Sequence, residues 1–212
     1  MSLNFRPYHD CSTTALRLHQ IFVLMGLRPS IVSVLRGIIL PEMSNGPPPT
    51  LEDLRVTLAQ PKVAPCYLIL CDGRETVVIE RDLTAAKTRS AKNFIVQTNH
   101  DTVSAGTLSS HPLPPPRPEQ NRFLGMEEFL QDSEERQECL QQKWDRIVRI
   151  HHNKIADNGS ASVSGQEAPA LSEETLRRWV CAFPTMNEST HFSCILDPVT
   201  GTIRWLARGV GE

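Results

Sequence analysis

PCYLILCDGRETVVIERDL (residues 65–83) and KNFIVQTNHD (residues 92–101), separated by the polar TAAKTRSA (residues 84–91), decide the fold. Residues 66–70 form a short apolar run, Asp72-Gly73 is a tight-turn pair, and residues 76–79 are β-branched and apolar. That order predicts a β-hairpin. Phe94, Ile95 and Val96 predict a third strand over residues 94–98, after the polar insert. It runs out through Gln97, Thr98, Asn99, His100 and Asp101. Amide, hydroxyl, imidazole and carboxylate groups gathered at the end of a buried strand suit a binding or catalytic site. The same pattern is also that of a strand leading into a polar loop.

Working outward, a chain of 212 residues has ample length to bury a core, and a single domain with loose insertions is expected. The formal charge of −2 supplies no basic field of the kind nucleic-acid binding requires. No apolar run reaches the roughly 18 to 20 residues needed to span a bilayer, because Arg28 and Arg36 interrupt the two longest. The first residues, MSLNFRPYHDCST, lack a basic segment followed by an apolar one, so no secretory signal is read there. Cys11, Cys66, Cys71, Cys139, Cys181 and Cys194 form no CxxC pair and no zinc-ligand spacing, so no metal or other cofactor is expected. Asn158-Gly-Ser160 and Asn187-Glu-Ser189 fit the glycosylation acceptor pattern, which matters only in a secreted protein.

Upstream of the hairpin lie two apolar runs, residues 15–27 and 31–40. Their periodicity does not separate strand from helix, and Gly26 and Pro29 between them suggest strand, turn, strand. Asn45-Gly-Pro-Pro-Pro is a loop, after which Thr50 caps a short amphipathic helix over residues 51–59, with Leu51, Leu54 and Leu58 on one stripe. Residues 102–120 are rich in Ser, Pro and Gly and are expected as a flexible loop. Residues 123–151 carry a helical pattern, and residues 157–170 a second flexible segment. Ser172 caps a helix over residues 173–182, and a final hairpin joins residues 191–196 to 202–206. Strands with helices set between hairpins argue an α+β class, an antiparallel sheet covered by helices.

Among chemical candidates, adjacent His151 and His152 on a helix point about 100° apart and do not chelate one ion. There is no GxSxG elbow, phosphate loop or dinucleotide fingerprint. Cys11, followed by Ser12, Thr13 and Thr14, is a conceivable nucleophile, but using its own α-amine as base requires removal of ten residues. The surrounding residues carry no signature of such a site.

LAQPKVAPCYLILCDGRETVVIERD (residues 58–82) followed by FIVQTNHD (residues 94–101) resembles the acid ceramidase and N-acylethanolamine acid amidase family of N-terminal-nucleophile hydrolases. Members show an AP-Y-I-L strand, a glycine turn, a V-I-x-R-D strand and V-V-Q-T-N-x-D. Residues 23–36 resemble the family's strand pair around a Gly-x-x-P turn, residues 50–59 its next helix, and residues 171–206 its closing helix and hairpin.

The resemblance implies an αββα sandwich of antiparallel sheets flanked by helices, here partial, in a single domain over residues 1–212 that is incomplete at its N-terminus. It implies hydrolysis of the N-acyl amide of ceramide, an N-acylethanolamine or a related lipid by way of a cysteine acyl-enzyme, in a family that is usually lysosomal or secretory. Asn99 matches the asparagine that supports the oxyanion, where a fixed amide donor is worth ~3 kcal/mol. Arg122 stands nearest to the arginine of the family's D-D-R-R motif, though it also reads as an ordinary charge at a helix start. His100, where the family has tyrosine, and Asp101 are the substrate-side candidates.

The nucleophilic cysteine of the family belongs upstream of the Gly-x-x-P turn, and Cys11 stands too close to that turn to match it. A missing N-terminal polypeptide or a homodimer is therefore expected to complete the site. The rival expectation is a non-catalytic protein that binds a lipid or a partner through an exposed sheet.

Overall fold

A computed structural model describes residues 1–7, 9–40, 49–101, 126–157 and 169–209. The chain is mixed α+β and divides into two compact units, Met1–Ala91 with Asn99–Glu127, and Lys92–Thr98 with Glu128–Glu212. The described elements are six strands and five helices. Among the described residues no helix is long and apolar enough to cross a membrane.

The first unit holds a four-stranded antiparallel sheet of β1 (Ser2–Phe5), β2 (Cys66–Cys71), β3 (Thr76–Arg81) and β4 (Ala86–Ala91), in that spatial order. The β2–β3 hairpin forms as the sequence predicts, with Leu68 opposite Ile79 and Leu70 opposite Val77. Its turn is closed by the Asp72 carboxylate, which accepts from the Arg74 and Glu75 amides, while Gly73 takes a φ of 88°.

Side chains alternate across a strand, so the hairpin has two distinct faces. On one, Cys66, Leu68, Leu70, Val77 and Ile79 form the core with Leu35 and Leu58. These last two come from α2 (Ile31–Ile39) and α3 (Leu51–Ala59). Arg81 shares that face, opposite Cys66, and is fully buried, its guanidinium donating to the carbonyls of Ala59 and Pro61. The other face carries Asn4 opposite Tyr67, and Tyr67 opposite Glu80.

Three expectations are corrected. Residues 15–27 and 31–40 are helices, α1 (Thr13–Leu24) and α2, capped by Ser12 and Ser30, whose side chains accept from Ala15 and Ser33 amides. Gly26 is the residue after the α1 C-cap, with a φ of 72°. Its amide bonds the Val23 carbonyl and the Leu27 amide bonds the Phe22 carbonyl, a Schellman ending in place of a hairpin turn.

Residues 94–98 belong to none of the described strands, whereas the polar insert supplies the third hairpin strand as β4. Among the described strands β4 pairs only with β3, and an edge strand has no need of a continuous apolar run; Lys87 and Arg89 blunt it. The other edge is β1, which the sequence pattern did not reveal.

In the second unit, α4 (Met126–Asp157) and α5 (Glu173–Val180) accompany a β5–β6 hairpin, Phe192–Asp197 with Thr202–Arg208. Phe94 stacks on Trp144 at 4.7 Å and meets Trp179 edge-on at 6.4 Å, making an aromatic cluster of three segments. Thr98 Oγ1 lies 3.2 Å from Gln137 Oε1. Residues 102–120, nearly all of 157–170, Arg122, and the Asn158 acceptor pattern lie outside the described residues.

Candidate functional site

β1 ends at Phe5, and the next residue, Arg6, continues the alternation so that its side chain falls on the Tyr67 face, 5.8 Å over that ring. This is where the chain returns after residue 98. Asn99 and Asp101 both come down beside β1, and His100 occupies the bend between them, half-buried.

Arg6 grips Asp101 with two bonds, Nε to Oδ1 at 2.8 Å and Nη2 to Oδ2 at 2.5 Å. Tyr67 donates its hydroxyl to Asp101 Oδ1 at 2.6 Å, and Arg6 Nη1 donates to the Arg81 carbonyl at 3.1 Å. A bidentate guanidinium–carboxylate pair fixes orientation as well as charge. Burial alone pushes the Asp101 carboxyl up, but the bonds from Arg6 and Tyr67 and the Arg6 charge outweigh it and hold the group below the usual carboxylate range. The Tyr67 hydroxyl is pushed well up, first by burial and then by the Asp101 carboxylate that it serves.

Asn99 Nδ2 donates to Asn4 Oδ1 at 2.8 Å and to the Phe5 carbonyl at 3.0 Å. An amide nitrogen has two protons to give, and both go to β1. One of the two acceptors is a side chain, which can rotate away, and the other is a main-chain carbonyl fixed at the end of β1.

The segment just beyond Arg6 adds a second group of side chains. Cys11 Sγ lies 3.1 Å from His9 Nδ1, and the Asp82 carboxylate joins them, so that ligand-type atoms of all three residues stand within 4.8 Å of one another. Asp82 is held by main-chain donors, the Asp10 amide at 2.6 Å and the Leu83 amide at 2.7 Å, with Arg6 Nη1 at 3.9 Å. Burial raises the Asp82 carboxyl, and those amides, the Cys11 thiol and Arg6 more than reverse it. The Cys11 thiol is pushed up to about 11, by burial and by the neighbouring Asp82 charge. A nucleophilic cysteine needs the opposite, a cationic neighbour that favours thiolate. All six cysteines are free.

The structure therefore brings together Asn99, His100 and Asp101 of the sequence-predicted site. Sequence reasoning missed Asn4, Arg6, Tyr67, His9 and Asp82. The signal for Asp82 lay in the quoted ERD ending of β3, and the His9-Asp10-Cys11 run held two donor side chains at close spacing. What joins them is the fold, since Asp82 is 71 residues from Cys11 in sequence. Comparison of the chain with protein-family models, curated proteins and solved structures returned no match.

Proposed function

We propose that the chain forms the amide-recognising side of an acid-ceramidase-like N-acyl amide hydrolase, with Asn99 addressing the carbonyl of a lipid amide. The observation that carries this reading is the convergence of Asn99 and Asp101 with Arg6 and Tyr67 on one sheet face. A strand end running into an ordinary polar loop would leave those groups solvated. Here the two ends of the Asn99-His100-Asp101 stretch are each anchored by side chains of β1 or β2.

In this reading a substrate carbonyl displaces Asn4 Oδ1 as acceptor for one Asn99 N–H, while the bond to the Phe5 carbonyl keeps the amide aimed. The developing oxyanion then meets a donor fixed before the reaction begins, the arrangement that makes such groups effective. The Arg6–Asp101–Tyr67 lock holds the bend that presents Asn99. Leu24, Leu27 and Val32, at 87%, 68% and 64% exposure, give the α1–α2 region apolar surface that suits an acyl chain. Cys11, held as the thiol, is not the nucleophile of this reading.

A second reading, a protein that binds lipid amides without cleaving them, is favoured by one specific observation: Cys11, beside the Asp82 carboxylate that also faces Arg6, is held as the thiol. A fluorogenic N-acyl amide tests both, followed for binding by polarisation and for turnover by fluorophore release. Saturable binding is expected, weakened about tenfold by Asn99→Ala, the worth of one hydrogen bond. Any turnover should fall about 10²- to 10³-fold in that variant. Binding without turnover selects the second reading. Absence of both overturns the proposal, and turnover abolished by Cys11→Ala moves the nucleophile to that residue.

A further inference from the structure

The His9, Cys11 and Asp82 cluster is used by neither reading of the Asn99 edge. We propose that it is a divalent metal site, selective for a borderline-soft ion such as Zn²⁺, with His9 Nδ1, Cys11 Sγ and one Asp82 oxygen as its three protein ligands.

The donor set is the first ground. Imidazole, thiolate and carboxylate together suit zinc and its neighbours, whereas Ca²⁺ and Mg²⁺ take oxygen ligands almost exclusively. Geometry is the second. Donor atoms around a tetrahedral zinc ion stand roughly 3.3 to 3.6 Å apart, as bond lengths near 2.0 to 2.3 Å require. Here His9 Nδ1 and Cys11 Sγ are 3.1 Å apart, and all three ligand atoms fall within 4.8 Å of one another. The His9–Cys11 pair is already near that spacing, and bringing the widest separation to it takes a combined side-chain shift of up to about 1.5 Å.

Orientation is the third. The Asp82 carboxylate is steered by the Asp10 and Leu83 amides, one on each oxygen, the kind of outer-shell support that ligating carboxylates carry. A carboxylate has about four acceptor positions, so these two bonds leave room for a metal.

Charge is the fourth ground. Arg6 is committed to Asp101 through two bonds and reaches Asp82 only at 3.9 Å. Arg81, whose charge also reaches Asp82, is committed to the carbonyls of Ala59 and Pro61, so a divalent ion beside Asp82 adds positive charge at that carboxylate. On binding, the Cys11 thiol gives its proton to solvent and its sulfur lone pair to the metal. Three protein ligands leave a fourth position open, which distinguishes this arrangement from a closed structural site. His9 and Cys11 are only half-buried, so that position is within reach of water.

Co²⁺ titration of the reduced, untagged full chain tests the proposal, because Co²⁺ occupies zinc sites and reports its ligands optically. One equivalent is expected to bind with a near-ultraviolet thiolate-to-cobalt charge-transfer band and the intense visible bands of tetrahedral Co²⁺, and Zn²⁺ should displace it. Cys11→Ser should remove the charge-transfer band. His9→Ala should weaken binding by more than the roughly 10- to 100-fold that loss of an outer-shell partner costs. Asp82→Asn should do the same, and if it fails to fold by circular dichroism, the other two variants decide. A band that persists in Cys11→Ser assigns the metal to another of the six thiols and overturns the site. So does a wild-type chain with no charge-transfer band.

Discussion

Asp101 concentrates three bonds on one carboxylate, two from Arg6 and one from Tyr67, yet its side chain remains 45% exposed. The two partners are in a different position: Arg6 is nearly covered and Tyr67 fully so. Water screens the carboxylate, so the pair is worth less than a fully buried one, but removing the acid strands a guanidinium that is already out of solvent. Asp101→Asn should therefore destabilise the protein by about 1–3 kcal/mol, and Tyr67→Phe by about 1 kcal/mol, since it deletes a single donor. Urea unfolding measures both, and the Asp101→Asn effect should shrink at high salt. A neutral Asp101→Asn would show that the lock carries no stability. Asp101 was picked out from the sequence for its place in the polar ending, but its partners were not. Arg6 follows a four-residue strand too short to announce itself, and Tyr67 sits in a run that reads as apolar core.

At the scale of elements, legibility followed the strength of local signals. The helix over residues 51–59 was read to its ends from the Thr50 cap and the stripe of Leu51, Leu54 and Leu58; in the structure Thr50 and Asp53 complete a capping box, the Asp53 amide bonding Thr50 Oγ1 at 3.2 Å and the Thr50 amide bonding Asp53 Oδ2 at 2.9 Å. α1 and α2 were missed because Gly26 and Pro29 punctuate a helix ending and a hairpin turn alike; the deciding Ser12 and Ser30 caps are single residues. Phe94 was placed in a sheet for its β propensity, whereas the two tryptophans that receive it come from helices 50 and 85 residues onward. The α3 helix separates local from tertiary contributions. Thr50→Ala, which removes the cap at an exposed position, should cost about 1 kcal/mol. Leu58→Ala, which empties a fully buried core position, should cost 2–5 kcal/mol, roughly. Chemical denaturation of the two variants checks the order, and equal costs would mean that α3 contributes propensity rather than packing.

For the molecule as a whole, the titrating groups lean one way. Among the described residues every carboxylate with a resolved shift, Glu52, Asp53, Asp72, Asp82, Asp101 and Asp197, is held below its ordinary range. His19, a buried residue of α1, is also lowered, by burial and then by the Arg28 charge. A carboxyl depressed by folding contributes stability that is fully present above its unfolded pKa of about 4 and is lost as pH falls through the folded value. A histidine lowered by folding acts in the same sense: its neutral form is the one the fold accepts, so stability is present above about pH 6.5 and declines below it. Both slopes run toward loss in acid, in sequence. The melting temperature should therefore ease downward as pH drops below about 6.5, where His19 begins to charge, and fall steeply only below about pH 4, where the carboxylates protonate. Between those limits the Asp101 and Asp82 interactions persist, which leaves the Asn99 edge assembled at mildly acidic pH. Thermal melts across this range, repeated on Asp82→Asn and Asp101→Asn, separate the contributions. Each variant should be less stable near neutrality and show a shallower acid slope, because the removed carboxylate no longer titrates. An acid slope unchanged in both would assign the loss to the other carboxylates and remove Asp82 and Asp101 from the account of acid stability.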